Sequence, residues 1–128
     1  MIQLKRKANL TFTVTDGHHT ILTDASEKEG GNDQGIDPHH LLEAALAACT
    51  GITLQMYANR KQWPLEGADV DVKILSEGEE TVLSRKIKLN GALDADQRQR
   101  LLEIANRCPL HRILTRPITI QTDLENPA

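Results

Sequence analysis

Alternating apolar and polar positions predict a strand at the start of the chain. Over residues 2–14 the even positions are mostly apolar and the odd positions are polar, which is the period of a half-buried strand. The Asp-Gly pair at 16–17 follows directly and is typical of a tight hairpin turn. Such a turn would pair Val14 with His19, so we expect the His19 side chain on the core face of the sheet and the His18 side chain on the other face.

A long helix is predicted after a loop. Residues 24–37 are rich in Gly and acidic side chains and predict the loop. Asp37 followed by Pro38 is a helix-start signal, and the sequence stays compatible with a helix over residues 38–59. Apolar residues recur there at spacings of three and four and predict one inward stripe, formed by Leu42, Ala45, Cys49, Ile52 and Met56. Cys49 is therefore expected to point inward from the middle of the helix.

The second half of the chain predicts a hairpin, a helix and a last strand. Alternation over residues 70–74 and 83–89 predicts the two strands of the hairpin. Asp94 is expected to cap a helix, and a further helical segment is predicted over residues 109–115. The inward side of the capped helix carries Leu101, Ile104, Ala105 and Cys108. Alternation over residues 118–124 predicts a final strand, and this order of elements is typical of an α+β fold.

Length and composition limit the class of protein. With 128 residues, 39% of them hydrophobic, the chain fits one compact domain, residues 1–128. Only 2% of the residues are aromatic, so the core of one chain would be thin and association with a second chain is plausible. The net charge of −3 is spread without a basic stripe, so nucleic acid is not an expected partner. We expect no secretory signal and no membrane span of ~20 apolar residues, hence a cytoplasmic protein.

The two cysteines, Cys49 and Cys108, lie far apart in the sequence and form no C-x-x-C motif. Their number and spacing suggest neither a disulfide framework nor a structural zinc site. In a reducing compartment such a pair is more often inert or catalytic than permanently bonded.

Two segments resemble the motifs of one known family. Residues 38–50, PHHLLEAALAACT, resemble the helix of the OsmC/Ohr family that opens with Pro and runs through an Ala-rich stretch into a reactive Cys. Residues 108–111, CPLH, resemble the second Cys-Pro motif of that family. The hairpin, the Gly-containing loop and the closing strand also follow the family's order, so the resemblance covers nearly the whole chain. It implies an intertwined α+β homodimer in which sheets drawn from both chains wrap two central helices.

The same resemblance implies a thiol-dependent peroxidase that acts on organic hydroperoxides. In the family the helix Cys attacks a peroxide oxygen and becomes a sulfenic acid, and the second Cys resolves this acid to a disulfide. A dithiol reductant, for example of the lipoyl type, then regenerates the pair. By match of motif Cys49 takes the peroxidatic role and Cys108 the resolving role, and neither a cofactor nor a metal is implied.

The chain departs from the well-studied peroxidases of this family at two places. Those proteins have an Arg after the first hairpin turn and a Glu directly after the Pro of the helix, where this chain has His18-His19 and His39-His40. Since only a thiolate reacts at a useful rate and the helix dipole fades within the first turn, a side-chain cation must support Cys49. We hypothesise that His39 does so, with His18 or His19 as a helper and with His40 also in the binding site.

Other residues leave alternatives open. Arg6 and Arg85 lie on the apolar parity of their strands and could supply the cation, but arginines at strand ends often reach solvent, and we favour that interpretation. Glu43 is expected to reach an edge or a partner charge rather than to act in catalysis. Cys108 precedes Pro109 and is expected to be the N-cap of the next helix, where backbone N–H groups favour a thiolate.

Two rival functions follow from the same residues. The first is a zinc or copper site formed by the two cysteines and the paired histidines, although neither an i, i+4 pair of histidines nor a C-x-x-C motif supports it. The second is a family member without peroxidase activity that binds a small apolar ligand in the cleft of the dimer interface, as the missing Arg and Glu suggest.

Overall fold

The computed structural model describes residues 1–126 and confirms the predicted α+β class, with one long helix and antiparallel strands. Contacts within the chain divide it into two compact units. The first unit consists of Met1–Ala45 and Val72–Ser84, and the second of Leu46–Asp71 and the chain from Arg85 onward. The long helix and the second hairpin each contribute residues to both units. That the whole chain forms one domain stays a prediction.

The N-terminal sheet belongs to the first unit and has three antiparallel strands, β1 (Gln3–Ala8), β2 (Thr11–Thr15) and β3 (Thr20–Thr23), in that order. The prediction of one strand over residues 2–14 is therefore wrong. The chain reverses at Asn9, whose φ of 48° is a left-handed conformation that Asn tolerates better than most residues. The pairing shifts register between Arg6 and Ala8, so even positions of β1 again pair with even positions of β2, for example Arg6 with Phe12. The apolar alternation therefore continues through the turn and hides it.

The hairpin between β2 and β3 is confirmed, but its predicted register is wrong. Val14 pairs with Ile21, two residues beyond the predicted partner His19. The loop is longer than a tight turn because the Asp16 carboxylate accepts hydrogen bonds from the backbone N–H groups of His18 (2.8 Å) and His19 (2.7 Å). Both histidines are exposed loop residues, and the His19 side chain is 87% exposed, so neither lies on a core face of the sheet.

A buried polar cluster around Asp24 holds the first unit together. The Asp24 carboxylate accepts a hydrogen bond from the Thr11 hydroxyl at 2.6 Å. The backbone N–H groups of Ala25, at 2.7 Å, and Gln34, at 3.1 Å, donate to it as well. These bonds, led by the one from Thr11, lower the pKa of Asp24 below its usual value of 3.8. The carboxylate thereby fastens the predicted loop, which contains the short 3-10 helix Glu27–Glu29, to β2.

The central helix α1 spans Pro38–Lys61, and its predicted start is confirmed. The Asp37 carboxylate accepts the backbone N–H of His40 at 2.8 Å, as an N-cap does. The phase of the predicted inward stripe is wrong, because the buried positions of α1 are Leu46, Thr50, Leu54 and Ala58. Cys49 is half-buried. The four other residues predicted to point inward are exposed, namely Leu42, Ala45, Ile52 and Met56.

This error in phase has a physical reason. The helix is apolar nearly all round, so hydrophobicity alone does not define its inner face. Thr50 counts as polar in the pattern, yet it is fully buried, because its hydroxyl donates to the carbonyl of Leu46 at 2.7 Å. By length and composition α1 could also cross a membrane, contrary to the expectation from the sequence. This is weak evidence for a membrane span, because the core helix of a soluble protein passes the same test.

The second hairpin is confirmed, with β4 over Gly67–Ser76 and β5 over Val82–Asn90. The helix α2 spans Ala95–Ala105, and Asp94 caps it in a capping box, as the sequence predicts for that position. A last short helix, α3, spans Pro109–Leu114 and agrees with the predicted helical segment.

The predicted final strand is wrong. Residues 117–126 form neither a helix nor a strand, and their apolar side chains, Ile118, Ile120 and Leu124, are exposed. Alternation alone does not make a strand, because its backbone N–H and C=O groups need a hydrogen-bonded neighbour. No strand among residues 1–126 pairs with this segment.

An apolar core packs α1, β5 and α2 together in the second unit. Its buried members are Leu54, Ala58, Leu65, Leu101, Ile104 and Ala105, against which Ile87 and Leu89 of β5 pack. Leu54 and Leu101 are fully buried, and burial of such a side chain contributes about 1.5–3 kcal/mol. The core therefore fixes the C-terminal end of α2, and Cys108 follows this end directly.

Candidate functional site

Cys108 lies between α2 and α3, and its side chain is fully buried. Its Sγ accepts the backbone N–H of His111 at 3.3 Å, so Cys108 is the N-cap of α3, as the sequence predicts. Pro109 suits the first helical position because it has no N–H to satisfy. The sulfur atom therefore has a backbone donor directed at it.

Arg85 directs its guanidinium at this thiol from β5. Its Nη1 lies 3.9 Å from Cys108 Sγ and donates to Thr50 Oγ1 at 3.1 Å. Its Nη2 donates to Asn106 Oδ1 at 2.9 Å and lies 3.1 Å from His111 Nδ1. We call these five residues the Arg85 cluster. All of them belong to the second unit.

The sequence favoured solvent-exposed side chains for both Arg6 and Arg85. This interpretation is right for Arg6 and wrong for Arg85. Arg6 is exposed, and its Nε donates to the carbonyl of Asn9 at 2.7 Å. Arg85 is half-buried and points inward, because it shares the parity of the apolar residues of β5. This parity is the sequence signal that could have identified Arg85. Its partners could not be named from the sequence, because they come from α1 and from the junction of α2 and α3.

His111 is electrically neutral in this arrangement. An arginine has only donors, so the Nδ1 atom of His111 must accept the hydrogen bond from Arg85, and the proton of the imidazole sits on Nε2. Burial, and then the positive charge of Arg85, lower the pKa of His111 below its usual value of 6.5. A second proton, on Nδ1, would place two donors and two like charges against each other.

Thr50 completes the cluster from α1. Its only proton is donated to the carbonyl of Leu46, so its oxygen accepts from Arg85. Cys108 Sγ lies 3.9 Å from the same oxygen, which has a second lone pair for the S–H group. The thiol form of Cys108 can therefore donate to Thr50, and the thiolate form can accept from Arg85.

Cys49 has simpler surroundings. It is half-buried, and its Sγ lies 4.0 Å from the hydroxyl of Thr53 one turn further along α1. Both cysteines are free thiols. Cys49 directly precedes Thr50, so its side chain leaves the helix about 100° around the axis from the side chain that contacts Cys108.

The four paired histidines of the sequence hypothesis belong to the first unit, and they lie next to carboxylates. His39 Nε2 lies 2.8 Å from Glu77 Oε1, His40 Nδ1 lies 3.3 Å from Asp37 Oδ2, and His19 Nδ1 lies 3.3 Å from Asp16 Oδ2. The His18 side chain is exposed. A role of these histidines at a thiol stays a prediction from the sequence.

Glu43 has a structural contact that agrees with its expected role at an edge. Its Oε2 accepts the backbone N–H of Ile74 on β4 at 2.7 Å. His40 Nε2 lies 3.8 Å from its other oxygen. No group of three or more His, Cys, Asp and Glu side chains among residues 1–126 is arranged to hold a metal ion.

A small apolar cavity of about 190 Å³ lies in the second unit. It is lined by Leu54, Ile87, Leu89, Leu101 and Leu102. Ile87 lies two positions after Arg85 on the same face of β5, and Leu54 lies one turn after Thr50 on α1, so the lining and the Arg85 cluster share two elements.

A family model described as OsmC-like protein matches residues 30–123, a range that includes both cysteines and the whole Arg85 cluster. The chain belongs to the OsmC-like protein family. The resemblance inferred from the two cysteine motifs is thus confirmed. No curated protein matches the chain.

Solved structures show the same OsmC-like fold at low sequence identity. An OsmC-like protein from Mycoplasma pneumoniae is 18% identical, with a TM-score of 0.74 over 90% of this chain and 86% of that chain. The organic hydroperoxide resistance protein OhrB of Bacillus subtilis is 19% identical, with a TM-score of 0.59 over 88% of this chain and 89% of that chain. An organic hydroperoxide resistance protein, OsmC, from Legionella pneumophila is 19% identical, with a TM-score of 0.59 over 89% of this chain and 87% of that chain.

Proposed function

We propose that this OsmC-like protein is a thiol-dependent peroxidase that reduces organic hydroperoxides with Cys49 and Cys108. The observation that carries the proposal is the position of Cys108. Its buried sulfur lies 3.9 Å from the side chain of Thr50, the residue after Cys49, and 3.9 Å from a guanidinium nitrogen of Arg85. Two proteins of similar fold are named organic hydroperoxide resistance proteins, which supports the choice of substrate class.

The proposed cycle has three balanced steps. The Cys49 thiolate attacks the terminal oxygen of the hydroperoxide, an S–O bond forms and the O–O bond breaks, and the leaving alkoxide takes a proton from solvent to become the alcohol. Cys108 then attacks the sulfenic sulfur of Cys49, the S–S bond forms, and the hydroxyl group leaves as water. A dithiol of the lipoyl or a similar type reduces this disulfide and is itself oxidised to a disulfide.

We further propose that the working form is a homodimer in the cytoplasm. The α1 helix exposes Leu42, Ile52 and Met56, and the C-terminal segment exposes Ile118, Ile120 and Leu124. Side chains of this type usually become buried when a second chain packs on them. Sedimentation equilibrium should therefore give twice the mass of the chain, and a monomer at micromolar concentration would contradict this part of the proposal.

The peroxidase is tested by hydroperoxide consumption in the presence of several dithiols. Cys49→Ser should lower the rate by at least about a hundredfold, because it removes the nucleophile. Cys108→Ser should still form a sulfenic acid on Cys49, which dimedone traps, but should not form the disulfide. The matched control is Ala48→Ser, an exposed position next to Cys49 that should keep the rate of the wild type.

The same experiment separates the proposal from its rival. If both thiols stay unmodified with several hydroperoxides, the peroxidase is excluded and the OsmC-like protein is better described as a binder of a small apolar ligand. The apolar cavity next to Leu54 and Leu101 favours this second candidate. Retention of an apolar fluorescent probe, and its loss in Leu54→Phe, would then test the cavity as the site.

A further inference from the structure

The guanidinium of Arg85 is held from one side by neutral groups. Its Nη2 donates to Asn106 Oδ1 and to neutral His111 Nδ1, and its Nη1 faces Thr50 and Cys108. No carboxylate among residues 1–126 forms an ion pair with Arg85. The sulfur of Cys108 is therefore the one member of the Arg85 cluster that can become negatively charged.

We propose that Arg85 stabilises the negative charge of Cys108 for disulfide formation and that His111 is the positioning residue that holds Arg85 in place. This inference rests on the proposed peroxidase and assigns two further residues to its second step. The asymmetry of the contacts supports it, because Nη2 and its two acceptors fix the plane of the guanidinium while Nη1 remains directed at the sulfur.

The chemistry of the resolving step requires this charge. The attacking group is the Cys108 thiolate, and it must persist in a fully buried site until the sulfenic acid of Cys49 comes within reach. The new S–S bond takes the electron pair of Cys108, the S–O bond of Cys49 breaks, and the departing hydroxide takes a proton from solvent to become water. Arg85 stabilises the negative charge on the Cys108 sulfur before the attack. In the disulfide this sulfur is neutral, so the ionic interaction with Arg85 is lost.

The arrangement also predicts a dependence on pH. His111 is faced by Arg85 from β5 and by Cys108 at the start of α3, and it is neutral only while Nδ1 accepts from Arg85. When Nδ1 gains a proton at lower pH, the imidazolium repels the guanidinium, and Arg85 loses one of its two hydrogen-bond acceptors at Nη2. The resolving step should therefore slow as the pH falls below the usual titration range of histidine, near about 6.5.

The test follows disulfide formation after one equivalent of cumene hydroperoxide, measured by mass spectrometry of quenched samples from about pH 5 to about pH 8. Arg85→Met should slow disulfide formation by roughly tenfold to a hundredfold, because it removes a charged donor, while sulfenic acid formation on Cys49 keeps its rate. Arg85→Lys should restore part of the rate. The control is Lys86→Met, which removes the neighbouring, exposed cation on the other face of β5 and should change nothing.

His111→Gln separates the positioning role from a merely structural one. Glutamine keeps an acceptor for Arg85 but does not titrate, so this variant should keep the rate at neutral pH and lose the part of the acid decline that His111 causes. The difference between the profiles of His111→Gln and the wild type isolates the contribution of His111. Identical profiles would remove His111 from the mechanism.

A second arm needs no peroxide and is read in the Cys49→Ser background, where Cys108 is the only thiol. The rate of exchange with an aromatic disulfide at neutral pH is divided by its plateau at high pH, so that access to the buried sulfur cancels. This ratio should be several times lower in Arg85→Met than in Lys86→Met. Equal ratios, together with a wild-type rate of disulfide formation, overturn the inference. Absence of sulfenic acid together with a lowered ratio overturns only the peroxidase.

Discussion

The two units of the chain surround their histidines in different ways. In the first unit His39 and His40 are exposed, and each lies beside a carboxylate, Glu77 for His39 and Asp37 for His40. In the second unit His111 is half-buried, lies beside a guanidinium, and is therefore held neutral. The imidazoles of the first unit lie beside carboxylates, whereas Arg85 forms no ion pair with a carboxylate among residues 1–126 and directs its positive charge at Cys108, the only thiol it contacts. The surroundings of a residue, rather than its type, decide whether its charge is available for chemistry.

The largest effect on this comparison should come from the core of the second unit. Leu101→Ala should reduce the free energy of unfolding by about 2–5 kcal/mol, because Leu101 is fully buried in the apolar core and its truncation leaves a cavity. Urea denaturation followed by circular dichroism measures the loss. Leu102→Ala, at a half-exposed neighbouring position, is the matched control and should cost clearly less. Equal losses would mean that the second unit does not depend on this core.

A smaller effect on stability is expected in the first unit, where the buried Asp24 carboxylate binds several neighbouring donors. Asp24→Asn should lower the melting temperature at neutral pH, because the charged acceptor of the Thr11 hydroxyl is lost. Since the pKa of Asp24 is below 3.8 in the folded chain, its contribution is present above that pH and is lost as the pH falls through the folded value. The wild type should thus lose stability in acid more steeply than the variant.

The matched control for this prediction is Asp33→Asn in the same loop, which is exposed. Melting temperatures measured from about pH 3 to about pH 7 should follow the wild type in this control. A parallel acid profile for Asp24→Asn and the wild type would contradict the role given to the buried carboxylate.

The smallest effect should come from the exposed histidines. His39→Ala should change stability by no more than about 0.5 kcal/mol, because the imidazole is 65% exposed and its partner Glu77 is also accessible to solvent. The sequence hypothesis, in which His39 stabilises the thiolate of Cys49, predicts that this variant changes the profile of the peroxidase rate from about pH 5 to about pH 9. A wild-type profile would remove His39 from the mechanism.

Local signals in the sequence identified the starts of the helices well. Asp37 and Asp94 started the two longer helices as predicted, because an N-cap acts through neighbouring backbone N–H groups. The hairpin at Asp16 was predicted but not its register, because the side chain of Asp16 accepts two backbone donors and closes a longer loop. Helix caps and turns, which depend on neighbouring residues, can thus be predicted from the sequence. The register of a hairpin cannot, because side-chain acceptors such as Asp16 change the length of its loop.

Features that depend on distant neighbours could not be predicted in the same way. The inner face of α1 is set by what packs against Leu54 and Thr50, and an apolar helix carries no mark of that face. The Cys108 N-cap could be predicted because Pro109 is its neighbour. The cation beside it could not, because Arg85 reaches Cys108 from another element and only strand parity pointed toward it.

The bond between Glu43 and the backbone of Ile74 has a consequence for behaviour at high concentration. Strands at the border of a sheet carry free N–H groups that can recruit strands of other molecules and begin aggregation. At Ile74 a carboxylate from α1 already occupies this donor. Glu43 therefore blocks the addition of a further strand at Ile74. A Glu43→Leu variant should aggregate faster than the wild type during storage.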